Sequence, residues 1–144
     1  MVRIRKSLYA VPITAVEEVL PALPIEAVPQ CPPFIRGVVF VRGHLIPVLD
    51  AAERLGLIGG EPPIEPHILC LRIGDRLIGL EVDEALDLFH TEPGASLQAS
   101  EIGAAHGFFS GVIEMEGNII RLLSPEDLLA PGEAAALAAI PRTA

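Results

Sequence analysis

Tryptophan is missing from this 144-residue sequence, and aromatic residues are only 4% of it: one tyrosine and five phenylalanines. Any core must therefore be aliphatic, and apolar residues at 51% are numerous enough to build one. Cations are scarce too. Ten Lys and Arg face 19 Asp and Glu, a net charge of −9. Nucleic-acid binding needs clustered cations to neutralise phosphates, so no nucleic-acid partner is expected. Cys31 and Cys70 stand alone with no CxxC spacing, which reads as buried free thiols. No apolar run approaches the roughly 18 residues that cross a bilayer. The opening MVRIRKSLYAV is too broken by charge to be a secretory signal. A cytoplasmic protein without membrane insertion is the resulting expectation. No glycine-rich loop ends in Gly-Lys-Ser/Thr, so a phosphate cradle is not expected. His44, His67, His90 and His106 are isolated, none beside a Ser, Cys or paired carboxylate at a usable local spacing. Neither catalysis, a metal nor a cofactor is expected.

What the chain does contain is an internal repeat. FIRGVVFVRGHLIPVLDAAERL (34–55) aligns without a gap on FFSGVIEMEGNIIRLLSPEDLL (108–129), an offset of 74 (108 − 34). Phe34 meets Phe108, Gly37 meets Gly111, Gly43 meets Gly117 and Leu49 meets Leu123. Upstream the likeness is weaker: VRIRKSLYAVPITAVEEV resembles LCLRIGDRLIGLEVDEAL with one residue dropped at the turn. Each half reads strand, tight turn, strand, capped helical turn, loop, strand, tight turn, strand, capped helix. One long period repeated once points to a duplicated barrel rather than a solenoid. Local signals agree. Gly74-Asp75 is a hairpin turn between Ile68–Ile73 and Leu77–Val82. Thr14-Ala-Val-Glu17 and Asp50-Ala-Ala-Glu53 have the form of capping boxes. Ser124-Pro125-Glu126-Asp127 offers an N-cap, a proline at the first helical position and acid in the first turn. LPIEAVPQCPPF carries too many prolines for a helix, TEPGASLQASEIGAAHG reads as a long loop, and PGEAAALAAIPRTA as a short helix before a frayed end.

The joint of the most apolar segment, GVVFVRGHLIPVLD, carries a fixed cation. Strand alternation puts Val39 and Val41 on one face, and Val38, Phe40 and Arg42 on the other. Both faces are apolar, so the strand is covered on both sides or offers one side to a partner. Gly43 supplies the positive φ that such a turn needs. The repeat counterpart of Arg42 is Glu116, so the fold itself does not require arginine there. A solvated turn cation is the plain alternative.

PPFIRGVVFVRGHLIPVLDAAERLGL resembles the signature of the CheW-like domains of bacterial chemotaxis signalling, with Gly37, Arg42, Gly43, Pro47, Asp50 and Leu55-Gly56-Leu57 in the family's order. LYAVPITAVEEVLP resembles the family's first hairpin and helix. ILCLRIGDRLIGLEVDEALDL and the second repeat resemble its latter half, so the likeness runs roughly from Val2 to Leu129. The resemblance implies a mostly β fold: two small SH3-like five-stranded β-barrel subdomains sharing an aliphatic core, with short capped helices. It implies one domain over 1–133 and a C-terminal tail over 134–144. It also implies a non-enzymatic adaptor that couples the helical cytoplasmic tip of a chemoreceptor to the regulatory domain of a CheA-type histidine kinase. Assembly into rings of CheW-like domains is a further expectation from exposed edges. A family glutamate on the first helix and the hairpin arginine are associated with receptor binding, and Glu18 and Arg42 fall at those positions. An ion pair between them would fix the guanidinium fork beside a groove for a helix. Val16 and Leu88 are its expected apolar walls, with Phe40 and Gly43 alongside. Phe40 departs from the family, which usually has asparagine there. Such a divergent adaptor is compatible with a non-flagellar pathway such as pilus motility. The rival reading is a stand-alone SH3-like ligand-binding module, against which stands the shortage of Tyr and Trp for a peptide groove.

Overall fold

The computed structural model describes residues 1–57, 59–88 and 107–129, the backbone of 96–98, and Glu133, Leu137, Ile140 and Pro141. Four antiparallel hairpins dominate these residues: β1 (Val2–Ile4) with β2 (Ser7–Ala10), β4 (Ile35–Val41) with β5 (His44–Asp50), β6 (His67–Ile73) with β7 (Arg76–Val82), and β10 (Phe109–Met115) with β11 (Asn118–Leu123). Each turn contains left-handed backbone, at Arg5, Arg42-Gly43, Gly74 and Glu116-Gly117. That handedness matches the twist of the strands it joins. The remaining strands are β3 (Val16–Leu20), the two-residue β8 (Glu84–Ala85) and β9 (Ser96–Gln98).

The strands form two sheets, ordered β3-β6-β7-β5-β4 and β8-β1-β2-β11-β10-β9. Each sheet takes strands from both sequence halves. In the five-stranded sheet, the hairpin β4–β5 of the first half lies parallel to β7 of the second, with Val48 opposite Gly79. In the six-stranded sheet, β11 of the second half lies parallel to β2 of the first, with Leu122 opposite Ala10. These two contacts are the same contact in the two repeats. The leading hairpins also superpose in register: Val2 opposite Tyr9 corresponds to Leu71 opposite Ile78, an offset of 69 (71 − 2) with no residue dropped. The sequence alignment had needed a gap there.

The apolar side chains sort into three clusters. Val39, Ile46, Ile68 and Cys70 fill the five-stranded sheet, and Ala10, Ile113 and Ile120 fill the six-stranded one. Val39 and Ile46 are the repeat equivalents of Ile113 and Ile120, so each sheet has its own copy of one small core. The third cluster lies between them and draws on both, including Ile4, Tyr9, Leu49, Leu71, Leu80 and Leu123. The architecture is thus mostly β, two SH3-like subdomains over a shared aliphatic core. One sheet has five strands as expected; β9 makes six in the other, inside the stretch read as a loop. The rest of that stretch lies almost wholly outside the described residues.

Arg54 pins the repeats together. It lies on α1 (Ala51–Arg54), a single turn whose N-cap Asp50 accepts from the Glu53 N–H at 3.2 Å; this is half of the expected capping box, since the Asp50 N–H donates to the Phe34 carbonyl at 2.8 Å. The guanidinium carbon is 4.4 Å from the ring centre of Phe34 and 4.9 Å from that of Phe108. These two phenylalanines are repeat equivalents. Arg54 also donates to the carbonyl of Leu128, its own repeat equivalent, at 2.8 Å, and forks onto Glu133. Leu137 and Ile140, in the tail read as a short helix before a frayed end, are buried in the shared cluster, and Arg76 donates to both of their carbonyls.

Two local expectations are corrected. Thr14-Ala-Val-Glu17 does not cap a helix. Residues Ile13–Ala15 make one 3-10 turn without a side-chain cap, and the chain then extends as β3, paired with β6. Val16 and Val19 favour a pleated, half-buried strand, and the ladder to β6 supplies more backbone bonds than a one-turn box. Ser124 likewise makes no side-chain cap; its carbonyl accepts from the Asp127 N–H, closing the 3-10 turn Pro125–Leu128.

Candidate functional site

Glu18 lies on an edge strand, not on a helix. β3 is one edge of the five-stranded sheet and β4 is the other. Arg42 follows β4 at the hairpin tip and donates from Nη2 to Oε1 of Glu18, so the pair joins the two edges. The chain beyond β3 meets β4 again, where Glu26 and Val38 exchange backbone bonds of 2.9 and 2.8 Å. Arg42 is 69% exposed and Glu18 31%. A pair this open adds little stability because water screens it. It does restrain the guanidinium, and the donors not used by Glu18 face outward. Glu17, at the bulge of β3, accepts from Arg72 at 2.7 Å. Behind Glu18 lies Cys70, fully buried, whose thiol is pushed up to about 11 by burial first and by the Glu18 charge second. It is an inert core group.

Phe40 is two residues before Arg42, near the end of β4, and is 59% exposed. Gly43 completes the turn at φ 82° with no atom near its Cα side, so its role is backbone conformation. Glu18 and Arg42 are thus in contact, with Phe40 and Gly43 close to Arg42 along the chain. Val16 and Leu88 are not a pair of walls. Val16 is half-buried and packs on the shared core. Leu88, 74% exposed, instead flanks a groove of about 280 Å³ with Met1, Val11, Pro12, Ile13 and Leu122. This groove and the ion pair lie at the two ends of one continuous segment, Ile13 to Glu18.

Ile13 in that segment and Val19 just after it are exposed apolar residues that the sequence reading does not single out. Their signal was present. Read as a strand, VEEVL alternates and turns Val19 outward; read as a helix it does not.

The arrangement suits non-covalent docking: outward guanidinium donors, an exposed aromatic ring and an apolar groove. Among the described residues no group of three His, Cys, Asp or Glu is placed to hold a metal ion. His44 opens β5, and His67 Nδ1 accepts from the Ala85 N–H at 2.8 Å. His90 and His106 lie outside the described residues. No described helix is long and apolar enough to cross a membrane.

Comparison with known proteins agrees with this geometry. A family model described as the CheW-like domain matches residues 1–132. A protein named chemotaxis protein CheW from Rhizobium meliloti is 29% identical over 117 residues, covering 80% of this chain and 76% of the relative. A probable chemotaxis protein CheW from Rhizobium etli is 27% identical over 136 residues, covering 93% and 88%. The crystal structure of the scaffolding protein TtCheW from Thermoanaerobacter tengcongensis superposes with a TM-score of 0.83 at 22% identity, covering 92% of this chain and 91% of that one. At that identity the superposition speaks for the fold.

Proposed function

Because the chain belongs to the CheW-like domain family, we propose that it is a non-enzymatic adaptor that holds the helical cytoplasmic tip of a chemoreceptor beside the regulatory domain of a CheA-type histidine kinase. The Glu18–Arg42 pair carries the reading: it fixes a cation that the hairpin does not need, at a surface with exposed apolar neighbours. A receptor helix lays its apolar face along Ile13 and Leu88, and its polar edge meets Arg42, with Phe40 packing beside it. The names of the relatives, chemotaxis proteins, support the pathway. The fold shared with a scaffolding protein supports the role. No observation favours a pilus-motility version or a stand-alone peptide-binding module.

The test is co-purification of the chain with a receptor-tip fragment and, separately, with a kinase regulatory domain. Arg42→Glu should weaken receptor capture with the melt unchanged. Unfolding of that variant would make Arg42 structural, and capture of neither partner by the wild type would end the adaptor reading.

A further inference from the structure

The carboxyl-terminal tail stands outside the duplicated plan. At the repeat offset of 74 (108 − 34), Glu133, Leu137 and Ile140 fall on Gly59, Pro63 and Pro66 of the linker, where neither an acid nor an aliphatic chain stands. The family match also stops short of Leu137 and Ile140, at residue 132. Yet both side chains are buried against the shared cluster. The two arginines that meet the tail are not duplicated either. Arg54 has Leu128 as its repeat equivalent, and Arg76 has Ser7 in the superposed leading hairpins. Arg54 forks onto the Glu133 carboxylate at 2.7 and 2.5 Å. Arg76 donates from Nη1 to the Leu137 carbonyl at 2.6 Å and from Nη2 to the Ile140 carbonyl at 2.9 Å. Among the described residues no backbone-to-backbone bond joins the tail to either sheet; the Ile140 N–H bonds within it, to the Leu137 carbonyl at 2.9 Å. Barrel strands are held by ladders. This segment is held by side-chain donors and apolar contact, as a bound peptide is.

We propose that Arg54 and Arg76 build a second docking site, for a short amphipathic segment whose carboxylate is followed by aliphatic residues four and seven positions later, and that the tail occupies it as a displaceable strap. Glu133, Leu137 and Ile140 have the four-then-three spacing of one helical face. Two guanidiniums read such a segment at its two ends. The Arg54 fork matches a carboxylate with parallel bonds. Arg76 takes carbonyls at the far end, the groups that a helical turn leaves without partners. Leu137 and Ile140 supply the burial between. A short tether holds the tail at an effective concentration on the order of millimolar, so modest intrinsic affinity keeps it seated. A partner segment of the same pattern binds by displacing it. The site shares no residue with the Glu18–Arg42 pair or the Leu88 groove, so its test needs neither a receptor nor a kinase.

The full chain is made with a protease recognition sequence at Pro131-Gly132, folded, and cut in place. A fluorescein-labelled peptide of residues 133–144 is the probe. Its polarisation should rise and saturate with the cut protein. With the uncut protein, whose own tail competes, binding should be weaker by about tenfold or more. Leu137→Asp in the peptide should abolish saturation. Arg76→Ala in the cut protein should weaken binding about tenfold, as loss of bonds from a charged donor implies. Amide NMR follows Val39 and Ile113, one in the small core of each sheet. Both signals should keep their native positions after the cut tail is washed away. Their loss would make the tail a part of the core and overturn the proposal. So would a cut protein with native sheets that does not bind the peptide, equal binding by cut and uncut protein, or a Leu137→Asp peptide that binds as well as the unaltered one.

Discussion

The hairpins β4–β5 and β10–β11 are one structure with two purposes. Their turns match: Arg42 at φ 50° and Gly43 at 82°, against Glu116 at 52° and Gly117 at 81°. Their bulges match as well, between Ile35 and Gly37 and between Phe109 and Gly111. What differs is where the polar and aromatic groups are spent. In the second hairpin Glu114 accepts from the Gly117 N–H at 2.9 Å, so the side chain serves its own turn. In the first, the equivalent residue is Phe40, pointing at solvent, and Arg42 reaches across to Glu18. Two hairpins with one backbone show which side chains the fold requires. Phe40 and Arg42 are not among them.

Five substitutions sharpen the contrast between the halves. The largest effect belongs to Arg54→Ala. Only the first half has this arginine, and it stacks on Phe34 and Phe108 while paired with Glu133. Its loss removes both ring contacts and the fork onto Glu133, and should cost about 3 kcal/mol in urea unfolding. Next is Gly37→Ala. A Cβ there would lie 2.7 Å from the carbonyl carbon of Glu26 and overlap its oxygen, so the bridge to Val38 must open. A loss of about 2–3 kcal/mol is expected, against about 1 kcal/mol for Gly43→Ala, which meets no atom and carries only the left-handed backbone cost. Third is the exchange of turn charges. Arg42→Glu should weaken receptor-tip capture on the order of tenfold with stability changed by less than about 1 kcal/mol. Glu116→Arg should change neither; a matching loss there would erase the distinction between the hairpins.

The smallest effect concerns Glu81, which stands opposite Asp50 in the five-stranded sheet. Burial raises its carboxyl above the ordinary range, with Arg36 at 3.3 Å opposing. The folded chain therefore holds that proton more tightly than the unfolded one. Stability falls as pH rises through the raised value and stays lower above it. Glu81→Gln should melt slightly higher than wild type at neutral pH, and the gain should vanish below about pH 4, where both forms are neutral.

The duplication was legible because the repeated residues do the same work twice. Val39 and Ile113, Ile46 and Ile120, Leu49 and Leu123 fill equivalent core places. The exchange of hairpins between halves was not legible. Parallel contacts such as Val48 with Gly79 are set by which apolar faces meet in space, and any aliphatic strand would read alike in sequence. The Thr14–Glu17 box misled for a related reason: its signal is local, and the ladder from β3 to β6 that overrides it spans some fifty residues. At the site, Arg42 stood out from its surroundings, whereas Glu18 was reached through family likeness, and Ile13 was hidden by the helical reading.

The strand exchange gives the nascent chain an order of assembly. Every strand of the five-stranded sheet lies within residues 16–82, while the six-stranded sheet needs both Val2 and Leu123. On the ribosome the first subdomain closes while the amino-terminal hairpin is still waiting, its β2 edge uncovered, for β11 to emerge. Any stall before codon 123 therefore leaves that β2 edge without its partner.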